Sequence, residues 1–236
     1  MDLINIISLK WGTKYGDVYV NKLYSAVKRN TTLPFKFHCF TDDGRRLNAE
    51  IKVHPLPFGN KLDSWWNKLW LFNPNLPIRS KIFYIDLDTV ITGNIDDLLS
   101  VNGFVVLRDF YASMAQGVST TDIGSGLMLW DTTKGQPYPE IWNKFIQNPR
   151  SVVNSLHPHG DQRWIQQFVP DRKYWQDVVP NQVVSFKTHC INGMPKDARV
   201  ICYHGKPSIP ESIRSQSRGW RGALIQPATW AGNHWK

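Results

Sequence analysis

The stretch that most constrains the fold runs from Lys81 to Leu99, Lys-Ile-Phe-Tyr-Ile-Asp-Leu-Asp-Thr-Val-Ile-Thr-Gly-Asn-Ile-Asp-Asp-Leu-Leu. Its unbroken apolar run, Ile82 to Ile85, is the pattern of a strand covered on both faces, as in a sheet sandwiched between helices. The run stops at Asp86 and Asp88. In an open α/β sheet the carboxyl ends of parallel strands border the crevice where ligands bind, so these acids stand where a site belongs. Hard cations such as Mg²⁺ or Mn²⁺ take carboxylate oxygens, often from one or two protein acids plus substrate phosphates, and an Asp-x-Asp pair offers that arrangement. A solvated strand-to-loop turn is the competing reading of so short a motif. Gly93-Asn94 then turns the chain into a helical stretch that Asp96-Asp97 begins.

Around this segment the chain alternates between strand and helix patterns. Leu3 to Leu9 reads as a strand, Lys10 to Gly16 as a loop rich in glycine and aromatics, and the segment with Val18, Leu23, Ala26 and Val27 as a helix ending near Lys28 and Arg29. Pro34 to Thr41 and Glu50 to Leu56 read as further strands, the first ending at Asp42-Asp43. Asp63 or Ser64 caps a helix from Trp65 to Phe72 that Pro74 closes. At helical spacing Trp65, Leu69 and Phe72 share a face, Lys68 lies off it, and the tryptophans read as core. Strands Phe104 to Leu107 and Gly126 to Trp130 are joined by the polar loop Ser113 to Thr121. Gly124-Ser125-Gly126 permits close approach of backbone or substrate. Tyr138 to Gln147 reads as a helix, and His159-Gly160-Asp161-Gln162 opens another through Trp164, Ile165 and Phe168. Gln182 to Phe186 and Val200 to Tyr203 are expected to close the sheet, the latter ending in His204-Gly205-Lys206-Pro207. This is an α/β domain over residues 1–207, followed by an aromatic and basic tail, 208–236, expected as loop or lid.

Composition narrows the partners. The 28 basic residues against 19 acidic ones give +9, which favours anionic ligands such as nucleotides, phosphate-rich acceptors or an acidic membrane surface. The basic residues are scattered, which argues against nucleic acid. No stretch reaches the length of a membrane span and no secretory signal is recognisable at Met1, so a cytosolic protein with at most peripheral membrane contact is expected. Three cysteines, Cys39, Cys190 and Cys202, with no Cys-x-x-Cys spacing, read as buried free thiols.

The polar groups at the strand ends should converge: Trp11 and Tyr15 after the first strand, Asp42 after the second, Asp86 and Asp88 after the central one, His204 and Lys206 after the last. Two carboxylates and an imidazole suit Mn²⁺, with Mg²⁺ the alternative. Lys68 and Lys206 carry point charge for phosphate, and aromatics near the first strand stack a base. Together these residues describe a nucleotide diphosphate held through a metal.

The same residues carry a resemblance. Ser8-Leu9-Lys10-Trp11-Gly12 with Tyr15, Phe40-Thr41-Asp42-Asp43, Trp66-Asn67-Lys68-Leu69, Tyr84-Ile85-Asp86-Leu87-Asp88, Gly124-Ser125-Gly126, Gly160-Asp161-Gln162 and His204-Gly205-Lys206-Pro207 span most of the chain. It resembles a nucleotide-sugar glycosyltransferase of the GT-A fold, close to family 8 and its uncharacterised bacterial and phage relatives. The resemblance implies a Rossmann-like, mixed but mainly parallel sheet flanked by helices, and transfer of a sugar from a nucleotide-diphosphate donor, a UDP-sugar, to an acceptor hydroxyl with retention. It implies Mn²⁺ on Asp86, Asp88 and His204, the diphosphate on Lys68, Gly205 and Lys206, and the transferred sugar facing Asp161 and Gln162. The acceptor, whether glycan, lipid-linked or protein, stays open. In this chain His204, Gly205 and Lys206 are contiguous, whereas the family signature has residues between them.

Two other classes compete. A phosphatase of the haloacid dehalogenase type also places Asp-x-Asp after an apolar strand, but normally the chain's first, with a later acid pair where this chain has Gly160-Asp161 and then Ile165. A non-catalytic basic module for nucleotides or nucleic acid fits the charge but puts acids in the crevice.

Overall fold

Every residue of the first strand, β1 (Ile4–Lys10), is buried, as its run of isoleucine and leucine requires. The computed structural model describes residues 3–58, 64–111, 121–157 and 159–236. Helix α1 (Asp17–Asn30) turns Val20, Leu23, Tyr24, Ala26 and Val27 inward and keeps Asp17 in its first turn and Lys28 and Arg29 in its last, where each charge suits the helix dipole. Strands β2 (Phe35–Thr41) and β3 (Lys52–Pro55) follow, and a 3₁₀ helix, Ser64–Phe72, leads to the central strand β4 (Lys81–Ile85). Then come β5 (Thr89–Ile91), α2 (Asp96–Ser100), β6 (Val105–Arg108) and β7 (Ile123–Asp131). The helices α3 (Pro139–Phe145), α4 (Pro149–Leu156) and α5 (Gly160–Gln166) precede β8 (Lys173–Tyr174) and α6 (Trp175–Val178). β9 (Val183–Ser185), α7 (Phe186–His189) and β10 (Val200–Cys202) lead to the tail. There, α8 (Ile209–Arg214), the hairpin strands β11 (Ser217–Arg218) and β12 (Leu224–Ile225), and α9 (Thr229–His234) complete the chain.

The main sheet has the order β3-β2-β1-β4-β7-β6-β8. β1 pairs parallel with both β2 and β4, and β7 runs antiparallel between β4 and β6, so the sheet is mixed and mainly parallel. The chain builds outward from β1 through β2 to β3 and then returns to β4 on the other side of β1. That reversal is a topological switch point, and the loops after β1 and β4 open into the crevice it makes. Alternation along β4 serves both faces: Phe83 and Ile85 pack with α1, while Ile82 and Tyr84 pack with the 3₁₀ helix and α3.

Three expectations are corrected. β9 and β10 do not close the main sheet; they form a separate three-stranded sheet in which β10 pairs antiparallel with β5, immediately after Asp88. The segment Trp65–Phe72 is 3₁₀, so its period is three. Trp66, Leu69 and Phe72 therefore share the buried side, while Trp65 and Lys68 share another. Helix α4, which Asn148 caps through Ser151 N, went unread because none of its residues is fully buried. The tail, expected as loop or lid, contains helices, and its Ile209, Ala228 and Ala231 pack with Tyr203 and Phe186. Its far end is fastened to α1: Arg29 donates to the carbonyls of His234 and Lys236 at 2.8 Å, and Lys22 lies 4.0 Å over the Trp235 ring. The cysteines are free and buried as expected. Among the described residues no helix is long and apolar enough to cross a membrane.

Candidate active site

At the switch point lies a cavity of about 450 Å³. It is lined by Trp11, Lys14 and Tyr15 after β1, Asp86 and Asp88 after β4, Gly124 to Gly126 of β7, Asp161 and Gln162 of α5, and His204 after β10. Trp65 and Lys68 of the 3₁₀ helix complete the wall.

The acids are held from below. Asp86 accepts from the Tyr84 hydroxyl and from Lys68 Nζ at 3.2 Å, and its backbone N–H donates to the Gly126 carbonyl at 2.9 Å. A Cβ at Gly126 would stand 3.0 Å from the Asp86 carboxylate, so the glycine is what lets the strand pass beneath it. Asp88 accepts from the Tyr15 hydroxyl at 2.8 Å, which ties the loop after β1 to the central acid pair. Burial and the charge of Asp86 push the Asp88 carboxyl up to about 6.

Lys68 is 4% exposed and sits among five oxygens: both carboxylate oxygens of Asp86 and Ser125 Oγ at 3.2 Å, the Ser125 carbonyl at 3.5 Å and Asp161 Oδ2 at 3.9 Å. Burial alone would lower its pKa, but Asp161 and Asp86 raise it overall, so it stays a cation. Asp161 is 4% exposed, and burial raises its carboxyl despite Lys68. Its Oδ2 has no hydrogen-bond partner.

His204 reaches the cavity because the second sheet hangs from the acid pair. Tyr203 N donates to the Asp88 carbonyl at 2.9 Å, and Lys187 Nζ donates to the His204 carbonyl at 2.6 Å. Burial, then the Lys187 charge, push the imidazole down to about 4. It is therefore neutral at pH 7, and its buried Nε2 has no partner. A neutral imidazole whose Nε2 has no hydrogen-bond partner, in the wall of the same cavity as two carboxylates, fits a divalent ion in donor chemistry. Among the described residues, however, no three His, Cys, Asp or Glu side chains converge on one point.

Three expected contacts lie elsewhere. Asp42 accepts from Gly12 N at 2.7 Å and pairs with Lys10 at 3.6 Å, so it shapes the loop that carries Trp11 and does not line the cavity. Gly205 and Lys206 are outside the lining as well; Lys206 Nζ pairs with Glu211 at 2.6 Å, its side chain 85% exposed. Sequence reasoning missed Lys14, Ser125 as a partner of Lys68, and Tyr84 as a partner of Asp86. The hydroxyl of Tyr84 hides within an apolar strand run, which leaves no signal, whereas period-three spacing from Lys68 points back to Trp65.

The sheet order, with the acid pair after the central strand and the appended small sheet, gives the chain a GT-A-like mixed α/β fold. Solved structures show the same architecture. The galactosyltransferase LgtC, determined in complex with donor and acceptor sugar analogues, aligns with a TM-score of 0.63 at 12% identity over 87% of this chain and 88% of its own. An active-site glutamine-to-glutamate variant of LgtC aligns with a TM-score of 0.60 at 12% identity, covering 88% of this chain and 89% of its own. The glycosyltransferase GlyE of Streptococcus pneumoniae TIGR4 aligns with a TM-score of 0.55 at 13% identity over 87% of this chain, which spans 55% of GlyE's length. No family model matches the sequence. No curated protein matches it either.

Proposed function

We propose that the chain is a divalent-metal-dependent glycosyltransferase that moves a sugar from a UDP-sugar to an acceptor hydroxyl. The observation that carries this reading is the cavity at the switch point, whose wall brings together an acid pair after β4, a buried lysine of the 3₁₀ helix and a neutral histidine after β10 whose Nε2 has no hydrogen-bond partner. Asp86, Asp88 and His204 would hold Mn²⁺ or Mg²⁺, which when bound supplies positive charge to the diphosphate. Trp11 and Tyr15 offer ring faces to the base, each stack worth about 1–3 kcal/mol. As the glycosidic bond breaks, negative charge grows on the leaving diphosphate, and Lys68, fixed in place and charged, stabilises it without reorganising. Asp161 Oδ2 is free to accept from a sugar hydroxyl, and the Gln162 amide beside it both donates and accepts. Retention at the anomeric carbon follows from the family resemblance. Within the tail, 208–236, whose helices are packed and fastened to α1, the part around Trp220 is the candidate lid, because Trp220 meets Tyr111 at the cavity rim with ring centroids 4.7 Å apart. Cytosolic action with peripheral contact at an acidic membrane face accords with the +9 charge.

Calorimetry of UDP with EDTA-treated protein, with and without Mn²⁺, tests the reading, alongside UDP release from UDP-sugars. Metal-dependent binding and release are expected. UDP binding indifferent to Mn²⁺ removes the metal, and phosphate release from phosphomonoesters with a phosphorylated Asp86 replaces the transferase by a phosphatase.

A further inference from the structure

The 3₁₀ helix places three tryptophans near one another, and only one of them faces the cavity. Trp66 is 3% exposed and stacks on Phe145, with centroids 5.8 Å apart and planes 3° from parallel. Trp70 meets the edge of Trp142 at 5.1 Å. Trp65 is 42% exposed. Among the described residues it is the one large exposed hydrophobic that is both aromatic and part of the cavity wall. The fold makes room for it there: Gly160 has φ +68°, and a Cβ at that position would come within 2.6 Å of the indole nitrogen. The ring is thus set against the start of α5, beside His159, Asp161 and Gln162.

A flat apolar surface next to a carboxylate and an amide is complementary to a sugar ring, which has a C–H face and an edge of hydroxyls. The groups suited to a nucleotide, Trp11, Lys14 and Tyr15, belong to the loop after β1, and Tyr15 is bound to Asp88. Trp65 stands with Asp161, at the α5 wall. Resting on the glycosyltransferase reading, we infer that Trp65 is the stacking platform for a ring of the acceptor, and that the acceptor is itself a carbohydrate. The ring lies with its C–H face on the indole and presents a hydroxyl toward the transferred sugar at Asp161 and Gln162, which stand beside Trp65 in the same wall.

The test uses UDP-glucose and UDP-galactose as donors with Mn²⁺, and lactose, maltose, cellobiose and a serine-containing peptide as acceptors. In the wild type at least one disaccharide accelerates UDP release. Trp65→Ala raises the KM for that disaccharide about tenfold while the Kd for UDP shifts less than about twofold, and Trp65→Phe recovers most of the loss because a flat ring remains. A KM for the UDP-sugar raised as much as the KM for the disaccharide would assign Trp65 to the donor and overturn the inference. So would an unchanged KM in Trp65→Ala, or acceleration by the peptide and by none of the sugars. No UDP release from either donor by the wild type, in water or with acceptor, instead removes the underlying reading and the inference with it.

Discussion

Two groups of buried polar side chains lie on the same sheet and are completed in different ways. At the β2–β3 edge Asn5, His38 and His54 form a closed series: Asn5 Nδ2 donates to the Arg79 carbonyl at 2.9 Å, Asn5 Oδ1 meets His38 Nε2 at 3.1 Å, and His38 Nδ1 meets His54 Nε2 at 2.9 Å. The bonds fix the tautomers, since His38 must donate to the amide oxygen and accept from His54, and both rings are neutral. At the end of β4 the cluster of Lys68, Asp86, Asp161 and His204 leaves Asp161 Oδ2 and His204 Nε2 without hydrogen-bond partners beside a cavity, Asp161 Oδ2 having only the Lys68 ammonium at 3.9 Å. Buried polar atoms are nearly always satisfied within a protein, and the first group meets that rule from its own side chains, whereas the second has two unmet acceptors in the wall of a cavity, as a ligand site would.

The sharpest way to break that comparison is to remove one charge from the open cluster. Lys68→Met leaves Asp86 and Asp161 close together and uncompensated, and should cost about 3–5 kcal/mol of unfolding free energy at neutral pH, read by urea denaturation. It should also abolish donor-dependent UDP release. A stability loss below about 1 kcal/mol would mean that the cluster is already relaxed by water and that its pairing does not hold the site.

The closed group is tested by acid. Burial, then the charges of His54, Lys36 and Lys52, lower His38 from its ordinary 6.5 to about 4. Below pH 6.5 the unfolded chain binds a proton at this position that the native state refuses, so stability falls as the pH drops from 6.5 toward 4, by about 3 kcal/mol from this ring. His54, His189 and His204 are lowered as well and add in the same direction, whereas Asp88, raised from 3.8 to about 6, opposes them. Comparing wild type with His38→Gln in urea across that window isolates the ring: the variant should show a flatter profile. Parallel profiles would show that His38 is not held neutral.

The contrast also explains what could be read in advance. The strands β1 and β4 are largely apolar runs, β2 alternates phenylalanine with other residues and α1 has a single apolar face, so the switch point and its acid pair were legible. Short elements were not. β5 consists of Thr89, Val90 and Ile91, too few residues to show a period, and its antiparallel pairing with β10 creates the second sheet that delivers His204. The 3₁₀ helix was misread because α-helical spacing groups Trp65 with Leu69, whereas a period of three groups Trp65 with Lys68. Nor can sequence report that Lys206 turns away to Glu211, since side-chain pairing across an ordinary loop leaves no pattern.

A smaller effect of opposite sign is expected at Asp88. Burial and the Asp86 charge both penalise its ionised form, so Asp88→Asn should raise stability in EDTA above pH 6, on the order of 1–2 kcal/mol, while removing metal-dependent UDP binding. Calorimetric unfolding measures the first effect and UDP titration the second. A less stable variant would show that the carboxylate contributes more as an acceptor for Tyr15 than it costs as a charge.

The smallest effect on stability belongs to Lys206, and it decides where the diphosphate is held. The resemblance implies a lysine on the phosphates, whereas Lys206 is paired with Glu211, which also closes the capping box of α8 through Ser208. For Lys206 to meet a ligand, that pair must open. Glu211→Gln removes the competing charge and keeps an acceptor for the capping box, because glutamine serves at that position as glutamate does. Released from its partner, Lys206 should bind UDP more readily, so Glu211→Gln should tighten UDP binding severalfold and Lys206→Ala should weaken it, with unfolding midpoints close to wild type in both. Opposite signs from two exposed residues in contact would establish that the ion pair and the ligand compete for one ammonium group. If UDP affinity is unchanged in both variants, the diphosphate is left to the cations that line the cavity, Lys14, Lys68 and Arg108, and the contiguous His204-Gly205-Lys206 of this chain serves only to carry the histidine.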